Sequence, residues 1–546
     1  MKQYIEEVKS FLKNKYYVIG FPLLAFIAFG FAMMNPTISI DDMEADRYLG
    51  TGQNMLASGR FGIWFWAFVQ GRWRNALFTD FFTLLLLFMA LINFCILFRR
   101  VSCGKIGTDA LLVFSFMVLT YPLVIEIWEY TGANAHISGS YLMTSGALLL
   151  IWEQIHHGDW HKPWRLIPAA VMLTLVCAGY ESVVAVYIFL VCAVLALQVV
   201  YGSEKEKKLS EVIRQAAIYA GMLAAGVVLR VLIHKLTLAV LNMSPVQNGA
   251  TPIFWGKEPV KDILVHLVTR WGYLYVLKAI VYLPLLILLV CGFAYLIGLA
   301  VCCRKYGAVL LLPGAGMLVS LVIISLVQGN VSPYRTCQVF AFFCAFVAMM
   351  AVHMLPRNSG KKAWIRITAV VLFGCLFLYQ ASYINYFLEL NHRRSEQERV
   401  VVQQIGMDLD RMEDPEKPVI FVGDYDVAPA IVEAASVPKD SMYWKLYKQA
   451  CEKTSELAGV DIGNLNLSRK IPGTIVNSVL QWSMTAFGSQ ESMLKLFRHY
   501  GFDYVPADYA AVFEEAAAYA KQTDMPYYPA NGYIEDVGEY VIVHLQ

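Results

Sequence analysis

Residues 76–100 read ALFTDFFTLLLLFMALINFCILFRR, and this stretch decides the fold. The run 76–98 is apolar over a length that, as a helix, crosses the roughly 30 Å of hydrocarbon in a bilayer. It stops at Arg99-Arg100, and arginine or lysine beside an apolar run marks a cytoplasmic flank. Comparable runs lie near 17–35, 109–128, 137–155, 165–179, 183–201, 213–237, 277–302, 307–327, 337–355 and 365–386. The short run 165–179, with 183–201, reads as two spans or as a re-entrant pair. The expected fold is an α-helical polytopic membrane protein of about eleven spans, followed by a small α/β domain. Composition agrees: 58% of residues are hydrophobic, 16% are charged and mean hydropathy is +0.51, against roughly 25% charged in soluble domains.

The loops alternate in chemistry. The N-terminus, Arg99-Arg100-Lys105, Lys162-Arg165, Lys205-Lys207-Lys208, Arg304-Lys305 and Arg357-Lys361-Lys362-Arg366 are basic, and all fall on one side of an eleven-span chain. That side is expected to be cytoplasmic. The first run follows three lysines, is too long for a signal-peptide core and is read as a retained span. Net charge is +2, which gives no reason to expect a nucleic-acid partner. Of the 11 cysteines most lie inside apolar runs, so no disulfide framework is expected. His156, His157 and His161 read as a solvated loop on the basic side.

The other connections, 35–75, 129–136, the Gly179-Tyr180-Glu181 corner, 238–276, 328–336 and everything after 386, are longer and mixed, and are expected to face outward. Residues 42–58 read as a helix. Residues 61–74, FGIWFWAFVQGRWR, and 257–276 read as helices lying in the interface, where tryptophan rings prefer the headgroup level. The boundary proposed from composition divides a membrane domain, 1–386, whose loop 35–75 carries an acidic motif, from an extracytoplasmic domain, 387–546. In the latter a polar helix at 393–412 precedes a buried strand, PVIFVG. Helices follow near 427–435, 440–457, 474–487, 489–500 and 506–521, and YVIVHL is a closing strand.

The sharpest constellation is Ser39-Ile40-Asp41-Asp42-Met43-Glu44-Ala45-Asp46-Arg47, just beyond the first span. Carboxylates at an apolar boundary are costly unless solvated, paired or bound to metal. Asp41 or Asp42 could serve as general base on an acceptor hydroxyl or help hold a divalent cation such as Mg²⁺ or Mn²⁺. The plainer reading is an acidic helix start with Asp41 as cap. Gln70-Gly71-Arg72-Trp73 and Ser332-Pro333-Tyr334-Arg335 each place an arginine at the outer boundary. Such an arginine can grip phosphate bidentately or simply snorkel to headgroups. Glu181 beside Tyr180 sits at a depth where acids usually face a cavity. Glu126, Glu129, Asn134 and His136 are weaker candidates, and a lone histidine is more often structural. No zinc spacing, P-loop, dinucleotide fingerprint or nucleophile elbow is present.

Four regions together resemble the bacterial serotype-converting, O-antigen-type glucosyltransferases, membrane enzymes of the GT-C architecture. They are ISIDDMEADRYLGTGQNMLASGRFG after the first span, QGRW, SPYR, and the tail segments FLELNHRRSEQERVVVQQI and MPYYPANGYIEDVGEYVIVHL. The resemblance implies a polyprenyl-phosphate-linked sugar donor, typically glucosyl, and transfer to a cell-surface glycan acceptor on the outer face of the bacterial inner membrane. It implies essential carboxylates in the first outer loop, here Asp41 and Asp42. Arg72, Arg335 and Tyr334 would then hold the donor phosphate. Glu181 would join the catalytic group, with Glu44, Asp46, Trp73, Glu129 and His136 in acceptor or supporting roles.

Two other classes compete. A transporter or flippase of lipid-linked glycans places ionisable residues near the midplane and often shows repeated halves; this chain has no repeat, and its charges gather at span ends. A membrane-anchored binding protein would do its work in the outer domain and tolerate loss of the outer carboxylates.

Overall fold

The computed structural model describes residues 2–38, 53–71, 75–128, 131–158, 160–204, 206–246, 253–271, 306–330, 334–355, 363–414, 416–458, 480 and 490–545. Its helices are α1 (Lys2–Leu12), α2 (Lys15–Met34), α3 (Gln53–Ala57), α4 (Phe61–Gln70), α5 (Ala76–Val101), α6 (Thr108–Leu119), α7 (Val124–Trp128) and α8 (Thr131–His157). Then come α9 (Ile167–Gly179), α10 (Val183–Tyr201), α11 (Leu209–Leu241), α12 (Val260–Trp271), α13 (Gly307–Gln328), α14 (Val339–Met354) and α15 (Ala363–Leu409). Six described helices are long and apolar enough to cross a membrane: α2, α5, α10, α11, α13 and α15. The expected span 277–302 lies outside the described residues.

The decisive stretch forms the middle of the bundle. Asn75 caps α5, its Oδ1 accepting from Phe78 N at 2.9 Å, which satisfies one of the orphan donors of a helix start. At the other end Arg99 and Arg100 favour the negative end of the helix dipole. Between them α5 packs along α8, α2 along α15, and α6 along α14. Phe94 and Phe98 meet Phe114, Phe342 and Phe346 with ring centroids 5.1–6.5 Å apart. In lipid such packing replaces the hydrophobic effect as the force between helices.

Side-chain contacts sort the loops into two ends, here called lower and upper. At the lower end Arg100 bonds Glu7 and Glu153, His156 meets Glu206 at 3.3 Å, Tyr306 donates to Glu204, and Arg366 pairs with Asp109. These are the basic loops of the sequence reading. His156 is thus tucked against Glu206 and Gln198 rather than merely solvated. The upper end collects the first residues after α2, the starts of α5 and α8, the 180–182 corner and the 334–336 turn.

Several boundaries differ from the sequence reading, each for a local reason. The run 109–128 is broken: α6 ends at Leu119, and Pro122, which has no N–H to donate, separates it from α7. Helix α8 begins earlier than its apolar run because Asn134, His136, Ser138 and Ser140 are buried rather than solvated. A 3₁₀ turn at Pro163–Leu166 leads into α9. Together they span about 27 Å, and α9 packs on α8 and α11, which favours a crossing segment over a re-entrant pair. The last apolar run and the polar helix expected at 393–412 are one continuous helix, α15. Helix α4 forms, but Trp66 is 4% exposed while Trp64 is 40% exposed. Trp66 therefore packs into the bundle instead of lying at headgroup level, and Gly139 makes room for it, since a Cβ there would stand 2.2 Å from the indole. Helix α12 accounts for the expected helix near 257–276, with Ile263 and Leu267 buried.

Beyond α15 the chain forms β1 (Val419–Val422), α16 (Pro429–Ala434), α17 (Met442–Ala458), α18 (Gln490–His499), α19 (Tyr509–Gln522), β2 (Ile534–Asp536) and β3 (Val541–His544). The strand order is β1-β3-β2, with β1 parallel and β2 antiparallel to β3. Strand β2 was not anticipated. The helix expected at 474–487 falls outside the described residues except for Leu480.

Candidate functional site

One group of polar side chains is built on α7 and the 334–336 turn. Glu126 accepts a hydrogen bond from Arg335 Nη1 at 3.0 Å. The Arg335 side chain remains 35% exposed and that of Glu126 only 12%, so the pair stands at the edge of the bundle rather than inside it. Gln338 holds the turn, donating to Arg335 O and accepting from Tyr141 at 2.6 Å. The Tyr180 hydroxyl hydrogen-bonds with Arg335 and lies within electrostatic reach of Arg60, the residue that precedes α4. Among the described residues the Arg60 guanidinium has neither hydrogen bond nor ion pair. His136 is buried, its ring 5.8 Å from that of Tyr180.

A second group adjoins the first across α7 and α8. Asp80, in the second turn of α5, is 4% exposed. The Asn134 side-chain amide reaches its Oδ1 at 3.4 Å and Trp128 O at 3.3 Å. Asp80, Trp128, Thr37 and Asn391 line a small cavity closed by Ala32 and Leu388. Phe29 stacks on Trp128 with centroids 4.1 Å apart, and Asn391 donates to Thr37 at 3.3 Å. A carboxylate buried at the end of a span is expensive unless it has work to do or partners to satisfy it.

A third group anchors the chain before α4. Arg230 Nη2 pairs with Glu181 at 2.8 Å and its Nε points to Gly59 O at 3.5 Å. His234 contacts Ala57 O at 3.0 Å. Gly62 permits close approach here, since a Cβ would collide with the backbone of Leu175 and Gly179.

The structure therefore brings together Arg335, His136 and Tyr180, with Glu181 one residue further along the corner and engaged by Arg230. Asp41, Asp42, Glu44, Asp46, Arg72, Trp73 and Glu129 lie outside the described residues, as does the side chain of Tyr334. Thr37 is the nearest lead toward the acidic motif: it precedes Asp41 by four positions, and it lines the Asp80 cavity. No group of three or more His, Cys, Asp or Glu side chains suited to a metal gathers among the described residues, so a divalent cation would have to draw on the undescribed acidic motif. Sequence reasoning missed Asp80, Arg60, Trp128 and Asn391. Asp80 carried a readable signal, being an acid inside an apolar run; Arg60 and Asn391 carried none.

Helices of this length and apolarity, with polar side chains collected at their ends, define an integral membrane protein. The chain belongs to the family described as Glucosyl transferase GtrII, whose model matches residues 30–352, and is thus placed among the membrane glycosyltransferases. The match agrees with the resemblance carried by the acidic stretch, QGRW and SPYR. It runs from the end of α2 to the end of α14 and leaves α15 and the α/β segment outside. Neither a curated protein nor a solved structure matches the chain.

Proposed function

We propose that this glycosyltransferase takes a glucosyl group from a polyprenyl-phosphate carrier and transfers it to a glycan on the outer face of the membrane. The observation that carries the reading is Arg335, a half-exposed guanidinium held at the upper end by Glu126 and Tyr180. A lipid donor lies in the bilayer with its phosphate at headgroup depth, and a guanidinium fork is suited to that anion. Arg60, and Arg72 from the neighbouring loop, would complete the positive field. The lower end bears the basic loops, so the positive-inside rule turns the upper end outward, together with residues 387–546.

In the proposed reaction an acceptor hydroxyl attacks the anomeric carbon as its bond to the phosphate oxygen breaks. The bond-breaking electron pair leaves with polyprenyl phosphate, and the hydroxyl proton passes to Asp41 or Asp42. The transition state is oxocarbenium-like. The arginines stabilise charge that grows on the leaving phosphate. Adjacent carboxylates cannot point the same way on a helix or strand, so one faces the reaction and the other supports it. Membership of a glucosyltransferase family favours transfer over a transporter or flippase. The direct test is to incubate purified protein with polyprenyl-phosphate glucose and a glycan acceptor and to follow release of free polyprenyl phosphate. Absence of release, with lipid-linked sugar instead moving across proteoliposomes, would support the flippase reading.

A further inference from the structure

Three arginines converge on the corner between α9 and α10. Arg335 hydrogen-bonds the Tyr180 hydroxyl and pairs with Glu126. Arg230 joins the corner to the segment before α4. Its Nη2 pairs with Glu181, the residue after Tyr180, and its Nε points to the carbonyl of Gly59, the residue before Arg60. Gly62 presses on the same corner, since a Cβ there would stand 2.6 Å from Gly179 N. Arg60 is thus tied to the Tyr180 corner from both sides, by Gly59 through Arg230 and by Gly62 directly, and it lies within electrostatic reach of the Tyr180 hydroxyl. Its root is fixed as well. The Arg60 N–H donates to Met55 O at 2.8 Å, and its carbonyl accepts from Ile63 N at 3.0 Å.

The charges at this corner do not balance. Glu126 is matched to Arg335 and Glu181 to Arg230, but the half-buried Arg60 guanidinium has neither hydrogen bond nor ion pair among the described residues. A cation held near two others without a counter-charge of its own is costly. An arginine that only snorkels to headgroups does so on a free, long stem and gains nothing from a fixed root beside other cations. An anion at the corner removes the cost, and a guanidinium fork matches the oxygens of a phosphate. A sugar-linked polyprenyl phosphate is a phosphodiester with one negative charge, which equals the one positive charge left over.

We infer that Arg60 is the second phosphate ligand of the donor site and binds the same lipid phosphodiester as Arg335. The inference rests on the proposed lipid-phosphate donor, and its test separates the two. Binding of bare polyprenyl phosphate, which isolates the phosphate from the sugar, is measured in detergent for the full-length protein and for Arg60→Ala, Arg60→Gln and Arg335→Ala. Phosphatidylglycerol serves as competitor, and melting temperature is recorded for each variant. Arg60→Ala should weaken the lipid by about tenfold or more, as expected for a hydrogen bond to a charged group. Its melting temperature should not fall, because no ion pair is lost and a repulsion is relieved. Arg60→Gln keeps a polar side chain but removes the charge, and should show a similar loss of affinity. Phosphatidylglycerol should not compete at equal concentration. If both Arg60 variants bind polyprenyl phosphate as the parent does while Arg335→Ala weakens it, Arg60 is a headgroup anchor and the inference is overturned with the donor reading intact. Equal competition by phosphatidylglycerol overturns it too, because the site is then one for bilayer headgroups in general. A fall in melting temperature in both Arg60 variants would mark a structural role and overturn it as well. If Arg60→Ala fails to fold, Arg60→Gln alone decides, and parent-like affinity there refutes the assignment. Indifference of binding to all three variants refutes the lipid-phosphate reading itself.

Discussion

Replacing Glu398 by glutamine should remove a pH dependence built into the upper half of α15. Glu398 and Arg394 lie one turn apart in the polar part of that helix, beyond its apolar run. Their side chains are 3% and 2% exposed, with Nη1 3.3 Å from Oε2. The other carboxylate oxygen, Oε1, is buried without a hydrogen-bond partner among the described residues. Burial pushes the Glu398 carboxyl up from 4.5 to about 7, and the charge and hydrogen bond of Arg394 offset only part of that. The nearby Tyr500 hydroxyl, after α18, is pushed up to about 12 by burial and by the charges of Glu398 and Glu396, with Arg399 and Arg394 pulling the other way. Because the folded value lies above the unfolded one, the folded chain holds the extra proton between about pH 4.5 and 7. Stability is therefore highest below that window and falls as pH rises through it. At about 1.4 kcal/mol per pH unit the full loss is about 3 kcal/mol, of which about 2 kcal/mol falls between pH 5.5 and 8. Thermal melting in detergent, backed by hydrogen exchange of residues 387–409, should show the parent several degrees less stable at pH 8 than at pH 5.5. Glu398→Gln should flatten that difference and raise the melting point at pH 8. Equal pH slopes in parent and variant would refute the reasoning, because no other group is being changed.

Three further outcomes are expected. Asp→Asn at 41 and at 42 should differ, one variant losing about 10²–10⁴ in turnover while still binding the glucosyl lipid and the other losing less; two fully active variants would move the base elsewhere. Arg335→Lys keeps the charge but loses the fork, so sugar transfer should fall in the order parent, Lys, Ala; full activity in the alanine variant would remove Arg335 from the donor site. Gly139→Ala places a Cβ against the Trp66 ring and should cost about 1–3 kcal/mol by overpacking; Trp66→Leu in the same chain should restore part of the melting temperature, and no restoration would mean that the strain lies elsewhere.

The apolar runs at 76–98 and 183–201 were legible because length and composition alone specify a membrane helix, and α5 and α10 form where those runs lie. What hydropathy could not show is where polar residues continue a helix. The segment Thr131–His136 belongs to α8 because Asn134 and His136 find buried neighbours, and residues 387–409 belong to α15 although their composition is soluble. The candidate site divides along the same line. Arg335 and His136 were visible as polar residues between spans. Asp80 was hidden in an apolar run, and Asn391 lay in a stretch read as belonging to another domain; only the packing of α2 against α15 brings Asn391 to Thr37.

That packing has a consequence for how the site is held. Thr37, the last described residue but one before the acidic motif, accepts from Asn391; Asn391 Oδ1 accepts from Arg394 Nε at 3.0 Å; and Arg394 pairs with Glu398. Buried side-chain networks of this kind fix geometry more than they add net stability. The family match ends at residue 352, yet three of the four residues in this network, Asn391, Arg394 and Glu398, come from α15. The base of the proposed catalytic loop is therefore positioned by a helix outside the matched region, one that continues toward the α/β segment. Gln397 extends the connection, accepting from Ala428 N at 2.9 Å just before α16. The α/β segment is thus tied, through two neighbouring turns of one helix, to the residue from which the acidic loop departs.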